Sequence, residues 1–252
     1  MTRGLYAAAC SMLVQASKQD IIAGNLANVN TVGYRRDVAS VGGYSALLGE
    51  LLADDPAARA LLSPAAAAAA RPGLEVTALL DLQPGAIRAT GNPCDLAIEG
   101  DGFFVVQTPH GLAYTRAGNF RLDAERRLVT LGGHPVLGDA GPLRIEGDRW
   151  EIAANGDVLV DGRRADRLRL VSLDARAPLR KLGDALVAGA DVPRPAANAR
   201  VKQGHLETSN VNMVDEMATM IATLRAYESA QRAFIAQDES LGRLINEVSQ
   251  VK

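Results

Sequence analysis

The sequence predicts an α+β chain in which the two termini build one discontinuous α-helical coiled-coil domain and an all-β domain is inserted between them. Three observations carry this. Apolar residues run at 4-3 spacing through residues 3–27, a seven-residue apolar repeat fills the C-terminal end, and the stretch between alternates short apolar runs with turn residues. Helices and strands differ in period, near 3.6 against 2, so the change of spacing marks the change of structure.

The first element is a helix over residues 3–27, with Leu5, Ala9, Met12, Ala16, Ala23 and Leu26 on one narrow seam that polar Gln19 interrupts. It ends in NLANVNTVGY. There Asn25, Asn28 and Asn30 suit the last carbonyls of a helix, and Gly33 suits a positive φ that Tyr34 does not. Residues 1–35 form this N-terminal segment and 36–82 a linker. The linker is expected to hold a short helix at Ser45–Ala53 and a tether of six alanines between Pro64 and Pro72.

Residues 83–200 read as strands. DLAI, GFFVVQ, LAYTRA, NFRL, RLVT, WEIA, DVLV and LRLVSL are short and separated by turn residues, the pattern of sandwiches and barrels. Asn155-Gly156 and Asp161-Gly162 predict type I′ hairpins, and Gly100-Asp101-Gly102 a looser turn. The helical period returns over 201–252. Met213, Met220, Tyr227, Phe234, Leu241 and Val248 recur every seven residues, with Met217, Leu224 and Ile245 in the alternate seam position, where Gln231 and Asp238 break the row. A period of 3.5 held this long predicts a left-handed coiled coil with the N-terminal helix. Ser209, Asn210 or Asn212 is placed to cap that helix, and Asp215 and Glu216 complement its dipole.

Composition excludes several functions. With 27 basic and 29 acidic residues and no like-charged block, neither nucleic acid nor an anionic membrane is invited. Aromatics at 4% leave little for base or sugar stacking. His110, His134 and His205 lack metal-ligand spacing, and Cys10 and Cys94 stand apart as free thiols. Glu99 and Asp101 read as turn residues, and no nucleophile or phosphate-loop motif occurs. No catalytic, metal or cofactor site is expected, and no enzyme. The N-terminus lacks the form of a cleaved leader, because polar residues interrupt its apolar stretch.

NLANVNTVGYRR at 25–36 resembles the signature that closes the N-terminal helix in the flagellar rod and hook family, N-L-A-N-x-x-T-x-G-[FY]-[KR]. Asn25, Leu26, Asn28, Gly33 and Tyr34 fill its slots, and Asn30 lies among them as a capping residue. GHLETSNVNMVDEMATMI at 204–221 resembles the family's C-terminal signature through Leu206, Glu207, Ser209, Asn210 and Val211, and Arg225, Ala226, Tyr227 and Glu228 follow as in family members. DLAIEGDGFFVVQTPHGLAYTRAGNFRLD at 95–123 is similar to the central motif, with Asp95, Ile98, Gly100, Gly102, Phe103, Phe104, Tyr114, Thr115, Arg116, Gly118 and Phe120 in its slots.

The resemblance implies a structural subunit of the bacterial flagellar basal body. Such a subunit is exported unprocessed through the type III apparatus, and it polymerises with its own copies and neighbouring axial proteins without entering a membrane. The terminal helices are implied to form an inner tube that transmits torque to the hook, with the β domain outside it. Leu5, Met12, Leu26, Met213, Met217, Met220, Leu224, Tyr227, Phe234, Leu241 and Val248 are then the assembly interface. GHPVLGDAGPLRI at 133–145 and the short linker are most similar to the proximal rod subunit, with the distal one next and hook-type subunits third. The alanine tether and two cysteines depart from the family's habit. Two other classes are kept as alternatives: a secreted β-rich binding module or enzyme with dimerising helices, and a coiled-coil adaptor, which leaves the central motif unexplained.

Overall fold

The computed structural model describes residues 2–42, 75–147, 149–174, 179–183, 185–189, 194–196 and 198–250. The expected helix at Ser45–Ala53 and the alanine tether lie outside the described residues. The chain divides into two compact units.

The first unit gathers helix α1 (Thr2–Ala27) as far as Leu26, the antiparallel strands Asp37–Gly42 and Glu75–Leu80 as far as Leu79, and helix α2 (Met213–Gln250). Alanine-rich α1 contains no proline and ends where its asparagines begin. Asp215 and Glu216 occupy the first turn of α2, where carboxylates meet the positive end of the dipole. Two contacts fix the direction of the pair. The amide of Gln237 fills the space a side chain on Gly4 would take, and Asn25 Nδ2 reaches Glu216 Oε1 at 3.4 Å. Twenty-one residues separate these contacts on each helix, so α1 and α2 run antiparallel side by side for about 30 Å at 1.5 Å per residue.

The second unit comprises Ala27–Arg36 and Leu80–Asn212. The sequence boundaries thus fall elsewhere in the structure. Much of the turn after α1 and the approach to α2 cluster with the strands and not with the helices. The largest sheet is six-stranded and antiparallel, in the order Leu179–Gly183, Leu186–Gly189, Gly111–Thr115, Phe103–Thr108, Leu170–Ser172, Arg194–Pro195. Its central strand begins Phe-Phe-Val-Val, an unbroken apolar run, and is buried on both faces. Alternate side chains serve two cores. Phe104 and Val106 pack with Leu96, Phe120, Leu143 and Val158, while Phe103 and Val105 pack with Tyr114 and Val171. Phe104 meets Phe120 edge to face, with ring centroids 5.1 Å apart.

The two expected hairpins differ in kind. Asp161 and Gly162 have φ of 52° and 79° between paired Val160 and Arg163, as a type I′ turn requires. At Asn155-Gly156 only Gly156 has positive φ, and hydrogen bonds from Gly156 N to Ala153 O and from Ala153 N to Asp157 O close a longer loop. The sequence pair is right for a hairpin, but the turn is the bulged form in which one left-handed glycine suffices.

Candidate assembly junction

At the centre of the second unit lies a carboxylate with no access to water. Glu207, in the strand His205–Glu207, is 0% exposed. Its Oε2 lies 2.9 Å from Arg116 Nη1, and its Oε1 lies 2.6 Å from Arg35 Nη2 and accepts the Gly85 N–H at 2.7 Å. Arg116 also donates to two carbonyls, from Nη1 to Ile98 O at 3.0 Å and from Nη2 to Gly100 O at 2.5 Å, while its guanidinium lies 5.4 Å from the Phe103 ring centroid. Burial draws the Arg116 guanidinium below its ordinary range, and Glu207 opposes that pull. Such a buried charge persists only where partners replace its hydration.

Close backbone approaches surround this group. Gly33, at φ 65°, donates its N–H to Glu207 O at 2.8 Å, and a Cβ there would sit 2.3 Å from Ala117 N. A Cβ on Gly85 would meet Thr208 O at 2.0 Å, and one on Gly118 would overlap Leu96 O. Asn210 ties three segments: its Oδ1 accepts the Arg36 N–H at 2.7 Å, and its Nδ2 donates to Asp81 O and Gln83 O at 3.2 and 3.0 Å. Arg36 Nε also bonds Asp81 Oδ2 at 2.8 Å. Tyr34 is buried with Lys181 Nζ 3.9 Å from its ring centroid. The residues from 28–36, 81–86, 116–118 and 206–210 therefore meet at one junction.

In the first unit Asn25 is 1% exposed and clamps Asp37 through two 2.8 Å bonds, one to its backbone oxygen and one from its N–H. On α2 the covered stripe is Glu216, Met220, Thr223, Tyr227, Ala230, Phe234, Gln237 and Leu241, an unbroken 4-3 spacing. The opposite flank carries exposed Val214, Met217, Ile221 and Leu224.

Three family profiles match this chain, each over one part of it. Flagella basal body rod protein matches residues 5–35, the flagellar hook protein FlgE/F/G D1 domain residues 97–160, and the flagellar basal body rod FlgEFG protein C-terminal region residues 202–247. The chain is 31% identical to the flagellar basal-body rod protein FlgG of Bacillus subtilis, with 98% of this chain and 99% of that protein covered. It belongs to the flagellar basal-body rod protein family. FlgF of Rhizobium meliloti is 32% identical with 97% of each chain covered, and FlgF of Escherichia coli 34% identical with 96% of this chain and 97% of that one covered. As a member of the rod family the chain is a structural subunit of the flagellar basal body, and its relatives are named as rod proteins. Among the described residues no helix is long and apolar enough to cross a membrane.

The rod-family motif residues divide between the two units. Asn28, Gly33, Tyr34, Glu207 and Asn210 enter the junction directly, as do Ile98, Gly100, Phe103, Arg116 and Gly118. Phe104, Tyr114, Thr115 and Phe120 are buried in the β cores, while Asp95 holds the Asn92 and Thr90 side chains. Gly102 packs against Ala199, Val211 is buried, Leu206 is half-buried, and Ser209 Oγ accepts the Val211 N–H. Asn30 is exposed.

Along the helices, Met220, Tyr227, Phe234 and Leu241 lie on the covered stripe of α2, and Leu5, Met12 and Leu26 are half-buried on α1. Met213, Met217 and Leu224 lie in the open, and Val248 is outside the residues whose side chains are described. The second covered row is Glu216, Thr223, Ala230 and Gln237, one residue away from the expected Met217 and Leu224 row. Polar residues take it because they are bonded there: Glu216 to Asn25, and Thr223 Oγ1 to Thr219 O at 2.8 Å. Sequence reasoning missed Arg35, Asp81 and Gly85 as junction residues. The YRR triplet marks the first, but nothing in the local pattern marks the other two.

Proposed function

We propose that the chain polymerises through its terminal helices into the axial tube of the rod, with the β unit outside, and so carries torque toward the hook. The observation that carries this is the two-sided character of α2. One stripe is covered by α1 of the same chain, while Met217, Ile221 and Leu224 form a second apolar row that is exposed among the described residues. Exposed apolar rows at heptad spacing are seams that gain stability only against another helix. In this reading α1 and α2 form a coiled-coil pair and the outer row meets neighbouring copies and other axial proteins. The buried junction makes each β unit rigid enough to pass on load. The N-terminal segment serves export through the type III apparatus, and the sequence between 133 and 145 favours the proximal position.

The test is complementation of a strain lacking this chain. The full chain with an epitope inserted at the exposed Leu131 turn restores swimming and labels the rod of isolated basal bodies. A chain lacking residues 2–25 stays in the cytoplasm and restores nothing. Labelling of another layer, or export of the truncated chain, removes the proposal.

A further inference from the structure

A cleft of about 950 Å³ opens in the second unit, and none of Arg35, Arg116 and Glu207 lines it. Three arginines line it, Arg167, Arg169 and Arg200, with Asn155, Asn198 and a single acid, Asp139. Arg167 is partly committed, donating from Nε and Nη2 to Asn155 O at 3.2 Å. Arg169 and Arg200 are exposed and make no ion pair or hydrogen bond through their side chains among the described residues. Leu170, Pro195, Ala196 and Ala199 give it an aliphatic floor, and no described lining residue is aromatic. Pro195 comes from the two-residue terminal strand of the six-stranded sheet.

Each feature narrows the ligand. Free guanidinium forks select planar anions, carboxylates above all. An aliphatic floor without an aromatic platform suits side chains such as leucine better than sugar rings. The sequence itself contains a segment that combines carboxylates with leucines. Between Arg36 and Arg59 there is no basic residue, and residues 49–56 read Gly-Glu-Leu-Leu-Ala-Asp-Asp-Pro. We infer that the arginine cleft binds the acidic segment 49–56 of a neighbouring copy, as a lateral clasp between subunits. The source of the segment rests on the polymerising role proposed above; the binding itself is a property of the monomer. Within a polymer the local concentration is high, so a weak clasp suffices.

The experiment uses a fluorescent peptide of residues 47–58 and, as receptor, the full chain carrying E50Q, D54N and D55N, so that its own segment does not compete. Anisotropy is expected to rise saturably. Affinity is expected to fall at least about tenfold with the receptor's Arg169→Glu and Arg200→Glu, or with a peptide carrying E50Q, D54N and D55N, and to weaken with added salt. Both arginines are exposed and unpaired, so an unchanged melting curve verifies the fold of that receptor. Absence of saturable binding, equal binding by the double arginine variant, or equal binding of the neutralised peptide overturns the inference. So does displacement of the peptide by an acidic oligosaccharide at a lower concentration than by unlabelled peptide. Lost peptide binding with intact polymerisation sinks the clasp alone; lost polymerisation with intact peptide binding sinks the assembly reading alone.

Discussion

Arg116 and Glu207 meet at 2.9 Å with side chains 3% and 0% exposed, joining the central and C-terminal motifs across ninety-one residues of sequence. Glu207→Gln keeps the shape but leaves Arg116 and Arg35 buried without their counter-charge. Breaking a buried pair in this way costs about 3–5 kcal/mol. Urea unfolding followed by the fluorescence of Trp150, the only tryptophan, reports on the β core against which it packs. A midpoint equal to that of the unaltered chain would show that the cluster is not a stability element.

Gly33 and Gly91 separate two meanings of positive φ. Both are left-handed, at 65° and 74°, but a Cβ on Gly33 would strike Ala117 N, whereas one on Gly91 meets nothing within 4 Å. Gly91→Ala should cost about 1 kcal/mol, the conformational term alone. Gly33→Ala adds backbone displacement at the junction and should cost about 3 kcal/mol or more. Equal losses in denaturant unfolding would mean that the close approach at Gly33 relaxes freely.

Asp81 gives the junction an acid limit. Burial alone raises its carboxyl, but the Gln83 N–H and the Arg36 guanidinium outweigh that and hold it below the usual value of 3.8. A carboxyl depressed on folding adds stability above its unfolded pKa and loses it as pH falls through the folded one. The Asp81 contribution is therefore complete above about pH 5 and is lost progressively as pH falls through the lowered folded value. Asp81→Asn should be less stable than the unaltered chain at neutral pH, and the gap should close on acidification. A gap that stays constant from pH 7 to pH 2.5 in thermal melts would exclude this coupling.

What was legible in the sequence followed from what each pattern measures. Periodicity found both helices and the β domain, because apolar spacing reports burial directly. The Phe103–Thr108 run gave a strand covered on both faces for the same reason. Periodicity did not separate the row covered within the chain from the outer one: on α2 hydrogen-bonded Glu216 and Thr223 are covered and apolar Met217 and Leu224 are not. An apolar count cannot see a satisfied polar group. Asn210 resembled a helix cap but its side chain binds Arg36, Asp81 and Gln83, and Asn25 binds the backbone of Asp37. Both serve partners distant in sequence. The meeting of Arg35, Arg116 and Glu207 lies beyond any local pattern, since it depends on how the loops close.

The two rows of α2 give the last prediction. Phe234 belongs to the covered stripe that includes Gln237, which packs on Gly4, whereas Met217 and Leu224 are 46% and 48% exposed in the monomer. Phe234→Asp removes apolar burial that contributes about 1.5–3 kcal/mol and adds an uncompensated charge costing a few kcal/mol more. It should loosen the α1–α2 pair within a single chain, seen as lost helical signal and faster proteolysis of both termini, while Trp150 fluorescence of the β unit is unchanged. Met217→Asp with Leu224→Asp places charges where water already reaches, so the monomer should melt within about 0.5 kcal/mol of the unaltered chain. If the outer row is the seam between copies, this variant should nevertheless sediment as a monomer at concentrations where the unaltered chain polymerises, and cells carrying it should not swim. The Arg232→Ala control, on an exposed side of the same helix, should alter neither property. Normal polymerisation of the Met217/Leu224 variant would remove the outer row from the assembly, and a Phe234→Asp chain with intact termini would show that the covered stripe does not hold the helices together.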